Sequence, residues 1–316
     1  MNSVSVVVPF FNRSEFLERL LDGVLNQTVL SECIFIVDNG SKYEDILNLS
    51  SIIALDKFKM LNLILVSTMK KGNANYARNL GYELAQTKYV AFLDSDDWWT
   101  EKHLENSISS LKITNKVAVY SGAIVHTKNR VFENSSIDVK RFNNPFDLIL
   151  SSKGYLAQTS SYIVDKQAIG EKVIWDNNFK RHQDFDYFSS IFYKTSGWCY
   201  SPYVNVHIDW DTGGANKKEI DFYSIIFFYN KWRLSIPKHI KKTYLLGMLR
   251  MSYRYSSPSF FKKYFLDQIV NNSYFDSVFY KVKTKMVSIR LYYLIIDALD
   301  FFNLKSFLKR VINNFS

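Results

Sequence analysis

Apolar and polar positions alternate in blocks along the first half of the chain. Val4-Ser-Val-Val-Val8 is a β-branched run with no polar face, which predicts a strand covered on both sides. Pro9-Phe-Phe-Asn12 breaks it, and Ser14 stands where a helix cap belongs. Phe16, Leu17, Leu20, Leu21, Val24 and Leu25 then recur at helical spacing. Residues 33–37 predict a second strand, closed by the turn Asp38-Asn-Gly-Ser41, and residues 61–66 a third. Residues 74–86 read as a helix with Ala77, Leu80, Leu84 and Ala85 inward. Residues 89–93 give a fourth strand, and a helix follows from Glu101 to about Leu111. Strands alternating with helices predict an α/β layered fold, a mostly parallel sheet flanked by helices.

Past residue 112 the pattern loosens. Residues 117–121, 123–125 and 158–164 are strand-like, and 146–150 begin a short helix. The polar stretch 127–144 predicts a flexible loop over a site. A helix over 184–195 and a strand over 197–206 lead to His207-Ile-Asp-Trp-Asp-Thr-Gly-Gly-Ala-Asn216. After Lys217 the strand alternation stops. Residues 220–236, 240–255, 259–271 and 287–302 are helix-like, with Tyr and Phe interleaved with Lys and Arg. The expected organisation is one α/β domain over 1–216, divided at 112/113, and a helical region over 217–316.

Charge sharpens that division. The net charge of +10 sits entirely in the last third: residues 217–316 hold 18 Lys/Arg against 6 Asp/Glu, so the remainder is slightly acidic. Basic aromatic helices of this kind suit a membrane interface, with cations on anionic lipid at roughly 1 kcal/mol each. A solvated helical cap and nucleic-acid binding are the other readings; no nucleic-acid motif is present. No apolar run reaches the ~18–20 residues of a bilayer span, and the start carries no basic leader region. Cys33 and Cys199 fall in apolar runs, as small core residues of a reducing compartment would.

The chemistry concentrates in Leu93-Asp-Ser-Asp-Asp97. Three carboxylates at a strand's end repel one another, and Asp oxygens suit a hard divalent ion, Mg²⁺ or Mn²⁺. The plainer alternative is an acidic turn before a helix capped by Thr100. In open α/β sheets a ligand sits beyond the carboxyl ends of the strands, where Pro9–Asn12, Asp38–Ser41 and Asp94–Asp97 all fall. A fourth cluster, His182-Gln-Asp184-Phe-Asp186, opens a helix whose N-terminus favours acids.

Val6-Val-Val-Pro-Phe-Phe-Asn12, Asn26-Gln-Thr28, Ile36-Val-Asp-Asn-Gly-Ser41, Gly72-Asn-Ala-Asn-Tyr-Ala-Arg-Asn-Leu-Gly81 and Phe92-Leu-Asp-Ser-Asp-Asp97 resemble, in order, the motifs of family 2 glycosyltransferases. The resemblance is strong over 3–112 and weak over 113–215. It implies a GT-A, Rossmann-like fold with a C-terminal helical appendage, and an inverting, metal-dependent hexosyl transfer. The donor would be UDP-glucose or UDP-galactose. The acceptor would be a lipid-linked saccharide for O-antigen or capsule, met at the cytoplasmic face of the cell membrane by a peripheral enzyme. Pro9 and Asp38 would hold the base, with Asp38 accepting from uracil N3–H. Arg78 would meet donor phosphate or sugar, Asp94 the ribose side, and Phe11 and Ser95 complete the set. Asp96 would bind the metal, and His207 would complete its shell or merely satisfy a turn. Asp184 would be the general base, with Asp186 beside it as the runner-up and a substrate contact. Trp175 and Tyr155 would stack a sugar or, equally, fill the core. Two departures stand out: Asp38-Asn39 and Gln183-Asp184 each replace an expected acidic pair. Outside this family, a non-catalytic basic aromatic module that binds membrane or nucleic acid, or a nucleotidyltransferase, would fit the same composition.

Overall fold

A computed structural model describes residues 3–68, 73–151, 154–210, 220–255 and 257–272. The Gly-rich stretch after Trp210 and the expected helix 287–302 lie outside the described residues. The chain divides into two compact units, residues 1–240 and 241–316.

In the first unit β1 (Val4–Phe10), β2 (Cys33–Asp38) and β3 (Leu63–Ser67) pair in parallel. Between them run α1 (Ser14–Leu25) and α2 (Tyr43–Ile53). β1 and β2 are buried along their whole length, as runs without a polar face require. After α3 (Ala74–Leu84) the chain crosses back to lay β4 (Tyr89–Phe92) on the other side of β1. The sheet therefore reverses direction of growth at β1, and such a switch opens a crevice at the strands' carboxyl ends. α3 packs tightly on that strand: a Cβ on Gly81 would meet Val7 Cγ1 at 2.5 Å.

A short β5 (Trp98–Trp99) precedes α4 (His103–Thr114). Thr100 does not cap this helix; its hydroxyl donates to Asn205 Oδ1 at 3.0 Å. β6 (Ala118–Tyr120) and β7 (Ala123–His126) follow. The expected flexible loop at 127–144 is largely structured. β8 (Val131–Asn134) turns back antiparallel on β7, and the Tyr120 hydroxyl donates to Ile137 O and accepts from Val139 N–H. Val131 and Glu133 form the exposed side of this edge strand. Then come α5 (Phe146–Ile149), β9 (Ile163–Asp165), α6 (Lys166–Ile169), α7 (Gln183–Lys194), β10 (Trp198–Tyr200) and β11 (Val206–Asp209). The run 197–206, expected as one strand, is split between two sheets. β10-β6-β9-β4-β1-β2-β3 make the main mixed sheet, and β5-β11-β7-β8 a second one beside it.

α8 (Phe222–Trp232) belongs to the first unit, although 217 was the expected start of a separate region. Phe228 packs on Phe146 and Phe179, and Ser224 Oγ accepts from Lys180 N–H at 2.9 Å. α9 (Lys238–Arg254) carries the chain into the second unit, whose α10 (Ser259–Asn271) buries Phe261, Phe265 and Ile269. Among the described residues no helix is long and apolar enough to cross a membrane.

Candidate active site

The carboxyl ends of β1, β2 and β4 bring the first three clusters together. Phe10 lies in register with Asp38, and the loops beyond are laced to each other: Lys42 N–H donates to Asn12 Oδ1 at 2.8 Å, and Asn12 N–H to Ser41 Oγ at 2.9 Å. Asn12 takes φ +50° to make this turn, a conformation Asn tolerates. Asp38 is buried, and its carboxylate accepts from the backbone N–H of Ser41 at 3.1 Å and Gly40 at 3.4 Å. This Asx turn fixes the carboxylate at the crevice floor. Pro9 is buried beside it, with Phe11 half-buried at the strand's end.

Arg78 reaches the same edge from α3. It is 2% exposed, and its Nη2 donates to Asp94 Oδ1 at 2.6 Å while Nη1 donates to Asn75 Oδ1 at 3.1 Å. Its guanidinium lies 4.6 Å from the centre of the Trp175 ring. Trp175 offers no face to a sugar, contrary to one of the two expectations for it. It is 1% exposed, and Tyr187 stacks on it at 4.0 Å with the planes 2° apart. It is a core aromatic that backs Arg78. Tyr155 is half-buried in the stretch before β9.

The acidic turn divides its roles. Asp94 faces Arg78, and Asp96 pairs with Arg13 from the β1 loop. Ser95 is buried. Asp97 points inward, accepts from Ser160 Oγ at 2.5 Å and from Asp209 N–H at 3.3 Å, and so ties the turn to β11. Burial, then the charges of Asp96 and Asp94, hold its carboxyl well above the usual range. Arg19 from α1 donates to Asp96 O at 2.9 Å and stacks on Trp98 at 3.7 Å.

His207 lies on β11 opposite Trp98 and stacks on its ring. Its Nδ1 shares a hydrogen bond with His126 Nε2 at 2.8 Å. Burial, then His126 and Arg19, push His207 down to about 4, so it is a neutral imidazole at neutral pH. His126 had drawn no attention in the sequence, where it sits alone before a polar stretch. Among the described residues no three His, Cys, Asp or Glu side chains form a ready-made metal cage. Mg²⁺ and Mn²⁺ do not need one, since they keep waters and take one or two carboxylates plus substrate phosphate. Asp94 and Asp96 are the carboxylates at this strand end, and their hard oxygens suit Mg²⁺ or Mn²⁺.

Asp184 and Asp186 part company at the head of α7. Asp184 is half-buried, and burial pushes its carboxyl up to about 6. The N–H groups of Phe185 and Asp184 itself and the charge of Arg78 oppose that rise, while Asp94 adds to it. The charges of both Arg78 and Asp94 therefore act on this carboxyl. Asp186 is turned the other way. It is 1% exposed, with its oxygens taken by Lys231 Nζ at 2.9 Å and Trp232 Nε1 at 2.7 Å. The expected substrate role for Asp186 is replaced by a buried link between α7 and α8.

A mixed, parallel-rich sheet with Asp38, Arg78 and Asp94–Asp97 at its carboxyl edge defines a GT-A-like fold and site. The chain belongs to glycosyl transferase family 2, whose profile matches residues 5–170. Three comparisons illustrate its relations. The amylovoran biosynthesis glycosyltransferase AmsB of Erwinia amylovora is 26% identical over 301 residues, covering 90% of this chain and 98% of AmsB. WfaP of Escherichia coli, a UDP-Glc:alpha-D-GlcNAc-diphosphoundecaprenol beta-1,3-glucosyltransferase, is 30% identical over 119 residues, 37% of this chain and 44% of WfaP. Among solved structures, Staphylococcus aureus TarS 1-349 in complex with UDP-GlcNAc superposes with a TM-score of 0.57 at 14% identity, over 78% of this chain and 66% of that one. The last likeness concerns the fold alone.

Proposed function

We propose that this enzyme is an inverting, metal-dependent hexosyltransferase of polysaccharide biosynthesis, using UDP-glucose or UDP-galactose and a lipid-linked saccharide acceptor. The observation that carries the reading is the placement of Asp184. A carboxylate at the head of α7, pushed up to about 6 by burial and acted on by the charges of Arg78 and Asp94, has the basicity a general base needs. The relatives AmsB and WfaP support the polysaccharide and lipid-linked context.

In this reading Asp38, with Pro9 and Phe11, holds the uracil, and Asp94 with Ser95 holds the ribose side. Asp184 accepts the acceptor hydroxyl's proton as that oxygen bonds to the anomeric carbon from the face opposite the leaving group. The glycosidic electron pair departs on the diphosphate, towards Arg78. Asp96, and His207 through its second nitrogen, would hold Mn²⁺ or Mg²⁺, which supplies positive charge against the departing diphosphate. The basic helices of the C-terminal region, α9 and α10 among them, would rest on anionic lipid at the cytoplasmic face of the membrane, where such an acceptor is presented.

The test is a panel of nucleotide sugars with Mn²⁺, scored for slow hydrolysis and for transfer to a lipid-linked saccharide. A UDP-hexose should be turned over, and Asp184→Asn should bind UDP as the parent does while losing about 10²–10⁴ in rate. Turnover within tenfold of the parent removes Asp184 from the mechanism.

A further inference from the structure

The segment 175–179, between α6 and α7, is held from two sides. On one side is α3. Asn79 Nδ2 donates to Trp175 O at 2.7 Å, and Asn79 Oδ1 accepts from Trp175 N–H at 2.9 Å. Asn75 Nδ2 donates to Asp176 O at 2.8 Å and to Phe179 O at 3.0 Å. The same Asn75 accepts from Arg78 Nη1 at 3.1 Å, and the Arg78 guanidinium lies over the Trp175 ring. The place of Arg78 is therefore set by this segment as well as by its own helix. On the other side is Lys231 from α8. Its Nζ donates to Asp176 Oδ2 at 3.2 Å and lies 5.3 Å from the centre of the Phe179 ring.

The same ammonium reaches Asp186, at 2.9 Å from Oδ1 and 3.0 Å from Oδ2. Asp186 stands in the first turn of α7, two residues after Asp184. Its side chain is 2% exposed, and an ion at that depth needs a cation beside it. Trp232 Nε1 supplies only a neutral donor. An ammonium carries three protons on one nitrogen, so a single Lys231 can serve carboxylates from two separate segments. Exposed ion pairs contribute little, but this one has a buried member and joins two elements. Its two ends carry different parts of the site: Asp184 on the head of α7, and Arg78 on the far side of the segment 175–179. Lys231 itself lies beyond residues 5–170, which the family profile matches.

We propose that Lys231 is a positioning residue for glycosyl transfer: by bridging Asp176 and Asp186 it holds the base Asp184 in place relative to Arg78. The inference rests on the proposed role of Asp184, and the experiment separates the two. Rates are read on the UDP-hexose that the nucleotide-sugar panel selects, and binding on UDP with Mn²⁺. Two variants open the bridge without leaving a buried charge unpaired. Lys231→Met with Asp186→Asn removes the ammonium and the carboxylate it compensates. Asp176→Asn keeps an oxygen for Asn178 N–H, which Asp176 Oδ1 accepts at 3.0 Å, and turns an amide NH₂ towards Lys231. Misplacing a reacting group by about 1 Å can cost about 10²-fold, so kcat should fall about 10–100-fold in the double variant and less in Asp176→Asn. Donor KM and UDP affinity should stay within about threefold of the parent. On an Asp184→Asn background the same changes should cost less than about twofold, because a base already removed cannot be displaced. A general loosening of the fold would slow both backgrounds alike. If Asp184→Asn is slow but both variants turn over within about twofold of the parent, or if their losses persist in full on the Asp184→Asn background, the positioning role is overturned and the bridge serves stability alone. If Asp184→Asn itself keeps the parent rate, the base is misassigned and the role of Lys231 falls with it.

Discussion

Asp184→Asn should make the protein more stable while it slows catalysis by about 10²–10⁴. The carboxyl is raised from 3.8 to about 6, mainly by burial, so the folded state holds an ion it would rather protonate. A raised carboxylate lowers folded-state stability once it is ionised. The penalty is absent below the unfolded value near 4, grows as pH rises towards about 6, and is constant above it. Two pKa units correspond to about 3 kcal/mol at pH 7 and above. Asparagine has nearly the same shape and no charge, so it should recover most of that. For a unit of this size the gain is on the order of 5–10 °C in melting temperature. Parent and variant should be melted side by side at pH 4.5 and pH 8: the gap at the lower pH should be about a third of that at the higher. The same ionisation governs the rate, so turnover of the parent should fall as pH drops through about 6. A variant no more stable than the parent at pH 8 would show that burial does not strain this carboxylate, and the argument for it as the base would fail.

Asp186→Ala removes the partner of Lys231 Nζ and Trp232 Nε1, and should cost about 2–4 kcal/mol in urea denaturation while UDP affinity stays within about threefold. Gly81→Ala drives a Cβ against Val7 in the main sheet and should cost about 1–3 kcal/mol, again by denaturation, since the neighbouring backbone of α3 and β1 is closely packed. Reversing Lys262 and Lys263 to Glu on α10 should reduce co-sedimentation with anionic vesicles by an order of magnitude or more, at roughly 1 kcal/mol per charge, and leave sedimentation with zwitterionic vesicles unchanged.

Much of this architecture was written in hydrophobic period. β1, β2 and β4 are runs without a polar face, and they could only be covered central strands. α3 shows where periodicity fails. Of its expected inward face Ala77 and Ala85 are buried, but Leu80 is only half-buried and Leu84 is 40% exposed, while the polar Asn75 and Arg78 are buried. Asn75 donates to the carbonyls of Asp176 and Phe179, a hundred residues on, and Arg78 reaches Asp94. Long-range polar partners turned the helix, and no local pattern carries them. The same holds for Asp184 and Asp186, two residues apart at one helix head. Only the arrival of Lys231 and Trp232 from α8 decides which of them is tied down. His126 was invisible because its meaning lies in strand register with β11.

The charges at the sheet edge carry a last consequence. Asp94 and Asp96 face one guanidinium each, Arg78 and Arg13, and burial with its two acidic neighbours holds the Asp97 carboxyl well above the usual range. Counted formally, Asp38, Asp94, Asp96 and Asp184 outnumber Arg13, Arg19 and Arg78, so the edge has no spare positive charge before any substrate arrives. A nucleoside diphosphate adds at least about two negative charges, and like charges at 4–6 Å repel by roughly 3–4 kcal/mol per pair at an effective dielectric of ~20. Arginines already facing carboxylates cannot answer that in full. Added positive charge has to come with the ligand. UDP affinity measured by calorimetry should thus fall by at least about 10²-fold when Mn²⁺ is replaced by EDTA. UMP, which lacks the second phosphate, should lose much less. If UDP binds equally well in EDTA, Arg13 and Arg78 must leave their carboxylates for the phosphates, and the case for a cation at Asp96 collapses.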